Sequence, residues 1–307
     1  MAEQTSIDQR LIDRLTAEIA PAHIIENCPM KEYTSFRAGG NAALLIQPGS
    51  LAELFFAVGQ LRSANVPHLV MGNGTNLLFC DSGYEGVVIR AGEGLSGVRV
   101  EGNVIFAEPG VSLAQLSKTA AEHSLSGLEF ACGIPGSLGG GVYMNAGAYG
   151  GELKDIVIGT SALQKNGRMK DRGRAQLPFS YRHSPFMESG EIIVGVKLLL
   201  QPGDTKAIKE RMKELMAQRN QKQPVQQPSA GSFFKRPAGH FAGQLIEEAG
   251  LKGLSVGGAR VSPMHAGFIV NEGGASAQDI LDLMAIVQET VFDKSGVRLQ
   301  PEVQIIG

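Results

Sequence analysis

Tryptophan is absent, and cysteine is scarce: Cys28, Cys80 and Cys132 are odd in number, far apart and never in a C-x-x-C pair. That pattern excludes a disulfide framework and a structural zinc site and leaves three ordinary thiols. None of the six histidines has a second ligand at metal-binding spacing, so no metal is expected. An excess of charge is also missing. With 28 Lys and Arg against 30 Asp and Glu, the formal charge of −2 is too small for a nucleic-acid or anionic-membrane footprint. Any phosphate must then be held by local geometry. No run reaches the roughly 18 apolar residues of a membrane span, and Met1-Ala2-Glu3-Gln4 lacks the apolar segment of a signal peptide, so a cytoplasmic protein is expected. No repeat of fixed period is visible, which excludes a solenoid.

What the chain has in plenty is glycine: 40 of 307 residues, about 13% against an average near 7%, with no collagen period. A chain this long forms two or three subdomains, and 43% hydrophobic content is enough for sizeable cores. The densest glycine stretch, 133–152, reads G-I-P-G-S-L-G-G-G-V-Y-M-N-A-G-A-Y-G-G-E; eight of its residues are glycine and Glu152 is its only charge. Neither a core nor a solvated face is built that way. Glycine admits positive φ and lets backbone amides approach a bulky ligand. Ser137 is placed to cap a short helix over 138–145, whose free N–H groups favour an anion such as a pyrophosphate. A second loop, Gly72-Asn73-Gly74-Thr75-Asn76, follows the short apolar strand 68–71. It lacks the third glycine and the long helix of a Rossmann dinucleotide site, but a nest of N–H groups with Thr75 and Asn76 suits a phosphate.

Around these loops the periodicity is mixed. Ile7, Leu11, Ile12, Leu15 and Ile19 predict an amphipathic helix closed by Pro21. Ser50 with Glu53 and Ser112 with Gln115 open helices over 50–65 and 112–123. Strands are predicted over 42–46, 87–90, 97–100, 104–108, 156–163 and 192–200, with a hairpin turn at Asn166-Gly167. Pro202-Gly203 breaks the chain, Asp204 caps a helix over 205–220, and the Gln- and Pro-rich run 221–229 reads as a connector. Beyond it come a helix over 241–249 stopped by Gly250, strands over 256–261 and 267–270, a helix over 276–294, and a strand-like end over 297–306. The fold class is therefore α+β. The domain reading is a helix and lead-in over 1–32, a unit over 33–201 split near 95 that carries both glycine loops, and a second unit over 202–307.

In order and spacing, five motifs resemble the UDP-N-acetylenolpyruvoylglucosamine reductases, flavoenzymes of peptidoglycan precursor synthesis. They are the Gly72–Asn76 loop, Gly133-Ile134-Pro135-Gly136-Ser137 through Asn145-Ala146-Gly147-Ala148-Tyr149-Gly150, Phe179-Ser180-Tyr181-Arg182-His183-Ser184, Gly231-Ser232-Phe233-Phe234-Lys235, and Pro301-Glu302-Val303. The resemblance covers nearly the whole chain beyond the first helix. It implies a vanillyl-alcohol-oxidase (PCMH) type FAD-binding fold of two α+β subdomains, with non-covalent FAD between them and a third, C-terminal unit over the substrate. It also implies hydride transfer from NADPH to FAD and on to the enolpyruvyl group of UDP-N-acetylglucosamine-enolpyruvate, giving UDP-N-acetylmuramate. The direct run from Ser184-Pro185-Phe186 to Glu191-Ile192-Ile193 matches the shorter family type, without the Tyr-containing loop insertion.

Hydride addition to the β-carbon of a carboxylated enol ether leaves charge on the α-carbon and carboxylate, so the site needs a charge stabiliser and a proton donor. The resemblance assigns these tasks to Arg182, Glu302 and Ser232. From the residues alone the plainer readings are favoured: Arg182 as a salt-bridge arginine, Glu302 as an exposed glutamate and Ser232 as a turn serine. The cofactor set it implies is Gly72, Asn73, Gly74, Thr75, Asn76, Gly133, Pro135, Gly136, Ser137, Gly140, Asn145, Ala146, Gly147 and Tyr149. The substrate set is Tyr181, Lys235, Arg236 and His265. The partner is a small molecule, with no nucleic acid or membrane, and the protein is a monomer or weak oligomer. Two rivals stay open at this point: a same-fold flavin oxidase or dehydrogenase for another hydroxy acid or alcohol, and a binding or sensory protein without turnover.

Overall fold

A computed structural model of the chain describes residues 7–307; the polar opening at Met1-Ala2-Glu3-Gln4 lies outside the described residues. Helix α1 (Gln9–Thr16) starts at Asp8, whose carboxylate accepts from the Arg10 N–H, and buries Leu11, Ile12 and Leu15. It ends a turn earlier than Pro21 requires, where the Thr16 hydroxyl bonds back to the Ile12 and Asp13 carbonyls. Strand β1 (Ile24–Pro29) pairs antiparallel with β2 (Asn41–Ile46). Its sequence, Ile-Ile-Glu-Asn-Cys-Pro, has no apolar alternation to read, and only Cys28 is fully buried in it. Helix α2 (Leu51–Ser63), capped by Ser50, crosses to β3 (His68–Met71), and after β4 (Leu77–Phe79) comes β5 (Tyr84–Arg90). The sheet order is β1-β2-β5-β3, with β5 parallel to both neighbours.

The second unit starts with β6 (Val98–Glu101) and β7 (Val104–Ala107), followed by α3 (Leu113–Glu122) and the short α4 (Leu138–Tyr143). Strands β8 (Val157–Leu163), β9 (Met169–Gly173) and β10 (Ile192–Leu199) complete an antiparallel sheet of order β9-β8-β10-β7-β6. β9 is polar and almost wholly exposed, and so carries no apolar alternation to read. The two sheets share packing: Leu163, Ile192 and Val194 enter the core formed by α1, α2, β2 and β5.

Helix α5 (Thr205–Lys222), capped by Asp204, packs on α3 and on residues 129–131 of the second unit. The C-terminal unit then runs through α6 (Ala242–Glu248), β11 (Ala259–Val261), β12 (Ile269–Asn271) and α7 (Ala277–Ser295). The segment expected as one strand over 256–261 is a hairpin. Gly257 at φ +50 turns the chain between Ser255–Val256 and β11, and the Asp279 carboxylate accepts from the Gly258 N–H. The end, expected as strand over 297–306, is strand only in β13 (Gln304–Ile306), which pairs parallel with β4 of the first unit. Pro301, with no N–H to donate, stays outside that ladder and makes an isolated bridge to Phe234.

Candidate active site

The three units enclose a cavity of about 1100 Å³ lined by both glycine loops, Arg182, Ser232 and Glu302. The loops are bonded to each other. Asn73 Nδ2 donates to the Pro135 carbonyl (3.2 Å), and a Cβ at Gly72 would collide with Ser137 Oγ. Gly74 has φ +62 and its missing Cβ would run into the Tyr33 carbonyl. Ser137 precedes α4 in an extended conformation, but the expected side-chain cap is not made. Its Oγ instead turns into the space that Gly72 leaves, 1% exposed and with no hydrogen-bond partner among the described residues. Thr75, Asn76, Gly133, Pro135, Gly136, Gly140, Ala146, Gly147 and Tyr149 also line the cavity. Tyr149 is at φ +51 and 39% exposed, which leaves its ring available to a ligand.

Asn145 does not reach the cavity. It is fully buried, its Nδ2 donates to Glu152 Oε2 and the Ser180 carbonyl (both 2.9 Å), and its Oδ1 accepts from Lys154 N. These bonds bolt the glycine stretch to the turn at 180–183, closed by reciprocal Ser180–His183 backbone bonds. Within that turn Arg182 takes φ +53, a left-handed conformation uncommon outside glycine. Its Nε donates to Glu302 Oε1 at 2.7 Å and its Nη2 to the Gly147 carbonyl at 3.4 Å.

Glu302 is held from two sides: its N–H donates to the Phe233 carbonyl, and its carbonyl accepts from Asn76 Nδ2 (3.0 Å). Asn76, expected as a cofactor contact, thus also positions this carboxylate. The exposed glutamate that the residues alone suggest is excluded, since the side chain is 14% exposed. Burial pushes its carboxyl pKa up, against the lowering by Arg182 and, more weakly, Lys235. Ser232 is exposed in the cavity wall and bridges to Phe268, next to the Phe233 that anchors Glu302.

The expected substrate contacts lie at or behind the rim. Tyr181 is 47% exposed; its hydroxyl accepts from the Arg236 N–H (3.2 Å), and the Arg182 guanidinium lies over its ring. The Arg236 side chain covers Phe241 at 3.9 Å. His265 is withdrawn: Nδ1 accepts from the Gly267 N–H, the ring meets Phe268 edge-on, and burial lowers its pKa. Burial thus disfavours its charged form, and it does not line the cavity. Periodicity could not find Thr34, Ser35, Arg90 and Arg219, which all line the cavity. Arg219 stands in the last turn of α5 against Gly133, has no ion-pair partner among the described residues, and is partly desolvated, which lowers its pKa. The only sequence signal for it is a basic residue at a helix end.

Residues 42–172 match the FAD binding domain family, and residues 223–306 match the C-terminal domain family of UDP-N-acetylenolpyruvoylglucosamine reductase. The UDP-N-acetylenolpyruvoylglucosamine reductase of Caldanaerobacter subterraneus subsp. tengcongensis is 46% identical over 297 residues, 97% of this chain and 98% of that one. That of Streptococcus pyogenes serotype M49 is 46% identical over 293 residues, 95% of this chain and 99% of that one. The crystal structure of the Thermus caldophilus enzyme superposes with a TM-score of 0.79 at 36% identity, covering 92% of this chain and 98% of the other. Alkyldihydroxyacetonephosphate synthase shares the fold alone, with a TM-score of 0.51 at 14% identity over 66% of this chain and 42% of the other. With near full-length identity well above 30% and the C-terminal domain matched, this chain belongs to the UDP-N-acetylenolpyruvoylglucosamine reductase family.

Proposed function

We infer that the protein reduces UDP-N-acetylglucosamine-enolpyruvate to UDP-N-acetylmuramate with NADPH, in peptidoglycan precursor synthesis. The observation that carries this reading is the Arg182–Glu302 pair at 2.7 Å in one cavity with Ser232 and both glycine loops. Bound FAD supplies the two-electron chemistry that couples NADPH oxidation to substrate reduction. The buried, unpartnered Ser137 Oγ and the glycine cradle at Gly72 and Gly74 fit its pyrophosphate. Arg182 takes the charge that develops on the substrate's carboxylate and α-carbon, with Glu302 fixing its orientation. Burial raises the Glu302 pKa, so this carboxyl holds a proton more readily than an exposed one. Ser232 then donates its proton to the α-carbon, with Lys235 nearby to offset the alkoxide. The product gains one hydride on the β-carbon and one proton on the α-carbon, and NADPH leaves as NADP⁺.

We read the protein as a monomer or weak oligomer, and its nucleotide substrates favour the cytoplasm. No helix among the described residues is long and apolar enough to cross a membrane. We draw the boundary of the C-terminal unit near 223 rather than 202, because α5 packs on the second unit. The test is an anaerobic flavin absorbance trace, with NADPH added first and UDP-N-acetylglucosamine-enolpyruvate second. Bleaching followed by recovery is expected. Ser232→Ala should bleach normally and recover slower by about 10² or more. Bleaching without recovery would move the activity to another acceptor, and equal slowing of both halves would make Ser232 structural.

A further inference from the structure

Segment 33–35 lies along the loop 72–76. The Ser35 N–H donates to the Gly74 carbonyl (3.1 Å), and the Tyr33 carbonyl and Thr34 Cα fill the space beside Gly74. Thr34 is 6% exposed, yet Thr34 Oγ1 and Ser35 Oγ are buried with no hydrogen-bond partner among the described residues, and both residues line the cavity. Arg90 stands beside them. It pairs with Met71, the residue before Gly72, and its guanidinium lies 5.6 Å from the Tyr33 ring centroid. It spends Nη1 on Gln47 Oε1 and leaves a buried Nε unpartnered. No carboxylate forms an ion pair with it among the described residues, and Glu32, the acidic residue next to the segment, is exposed.

A buried hydroxyl without a partner costs about 1–3 kcal/mol, so a fold that keeps two together with a free cation N–H is organised around something that accepts. These orphan groups can all donate, and they flank the same glycine loop whose other neighbour is the orphan Ser137 Oγ. Oxygen-rich and anionic chemistry fits that set, which means a pyrophosphate diester. We propose that Thr34 and Ser35, with Arg90 as their cation, form a second grip on the FAD pyrophosphate, complementing the one at Gly72–Asn76 and Ser137. The proposal rests on the flavoenzyme reading. The same chemistry also occurs in the UDP-sugar, and the assignment to FAD follows from the direct contact with loop 72–76.

The test strips flavin from the purified holoenzyme and titrates back FAD or riboflavin, which lacks the pyrophosphate. Thr34→Val and Ser35→Ala should each raise the Kd for FAD by about tenfold and leave that for riboflavin unchanged. Thr34→Ser should retain wild-type FAD affinity. UDP titrated into FAD-saturated protein should bind all variants alike. Because each change removes an orphan hydroxyl, the flavin-free variants should melt no lower than wild type. Unchanged FAD affinity, equal weakening of FAD and riboflavin, a defect confined to UDP, or a lower flavin-free melting temperature would each overturn the assignment. The first three arms decide even if FAD is confirmed as the cofactor, whereas failure to bind any flavin would instead sink the functional reading.

Discussion

At Glu302 two opposing effects meet: burial raises the carboxyl's pKa while the Arg182 guanidinium, 2.7 Å away, works to lower it, and burial prevails. The consequence for stability has a definite sign. As pH rises above the ordinary value near 4.5, the unfolded chain gives up this proton before the folded one does, so the residue's contribution to stability falls until the folded-state pKa is passed. Glu302→Gln has no proton to lose there. Urea midpoints from pH 4 to 8 should show the variant gaining on wild type as pH rises through that window and then running parallel. A trend of the opposite sign would mean that Arg182 dominates and the carboxylate is ionised. His265 illustrates the limit of reading single residues. Its position beside Met264 and Gly267 gives it the look of a substrate contact, but three-dimensional neighbours turn its Nδ1 onto the backbone.

The glycine loop 72–76 and the stretch 133–152 are legible as elements because so many glycines have no other use, and the residues they meet are legible only in space. Gly74→Ala must accept φ +62 and a Cβ driven into the Tyr33 carbonyl, a backbone atom with no freedom to move aside. Gly72→Ala meets only the Ser137 side chain, whose hydroxyl can rotate and whose Cβ, at 3.1 Å, need give only slightly. Gly102→Ala carries φ +56 with open space around it and bears the strain alone, about 1 kcal/mol. Flavin content, read as the ratio of flavin to protein absorbance, should fall in the order Gly102→Ala, Gly72→Ala, Gly74→Ala, with Gly74→Ala purifying largely colourless. Equal flavin content in Gly74→Ala and Gly102→Ala would mean that the loop is free to shift away from Tyr33. Helix starts were readable for a local reason: Ser50, Ser112, Asp204 and Ser276 each accept from the N–H three residues on. Strands β1 and β9 were not, because neither carries an apolar alternation: only Cys28 of β1 is fully buried, and β9 is almost wholly exposed.

On the scale of the molecule, the C-terminal unit is fastened to the first unit by polar ties, one of them buried. Asn271, 5% exposed, donates to the Phe36 and Arg37 carbonyls and accepts from the Gly273 and Ala275 N–H groups. Asp81 caps α7 from across the boundary, accepting from the Ala277 and Gln278 N–H groups. Phe36 joins the C-terminal core, edge-on to Phe233. Asn271→Ala strands several buried backbone groups at once and should cost about 3 kcal/mol or more. Hydrogen exchange should speed up in 230–306 and in 34–38 before it does in the second sheet; uniform acceleration would mean that the ties do not separate units. The sequence by itself determined the α+β class, the two glycine-rich stretches and, through motif order, the family, since these rest on local spacing and backbone chemistry. Tertiary structure alone decided that α5 sides with the second unit, that Asn76 and Asn145 brace the segments holding Glu302 and Arg182, and that Thr34, Ser35 and Arg90 face the cavity. The reason is physical: burial and missing hydrogen-bond partners are properties of neighbours brought together by folding, and Asn76 and Glu302 lie 226 residues apart in the chain.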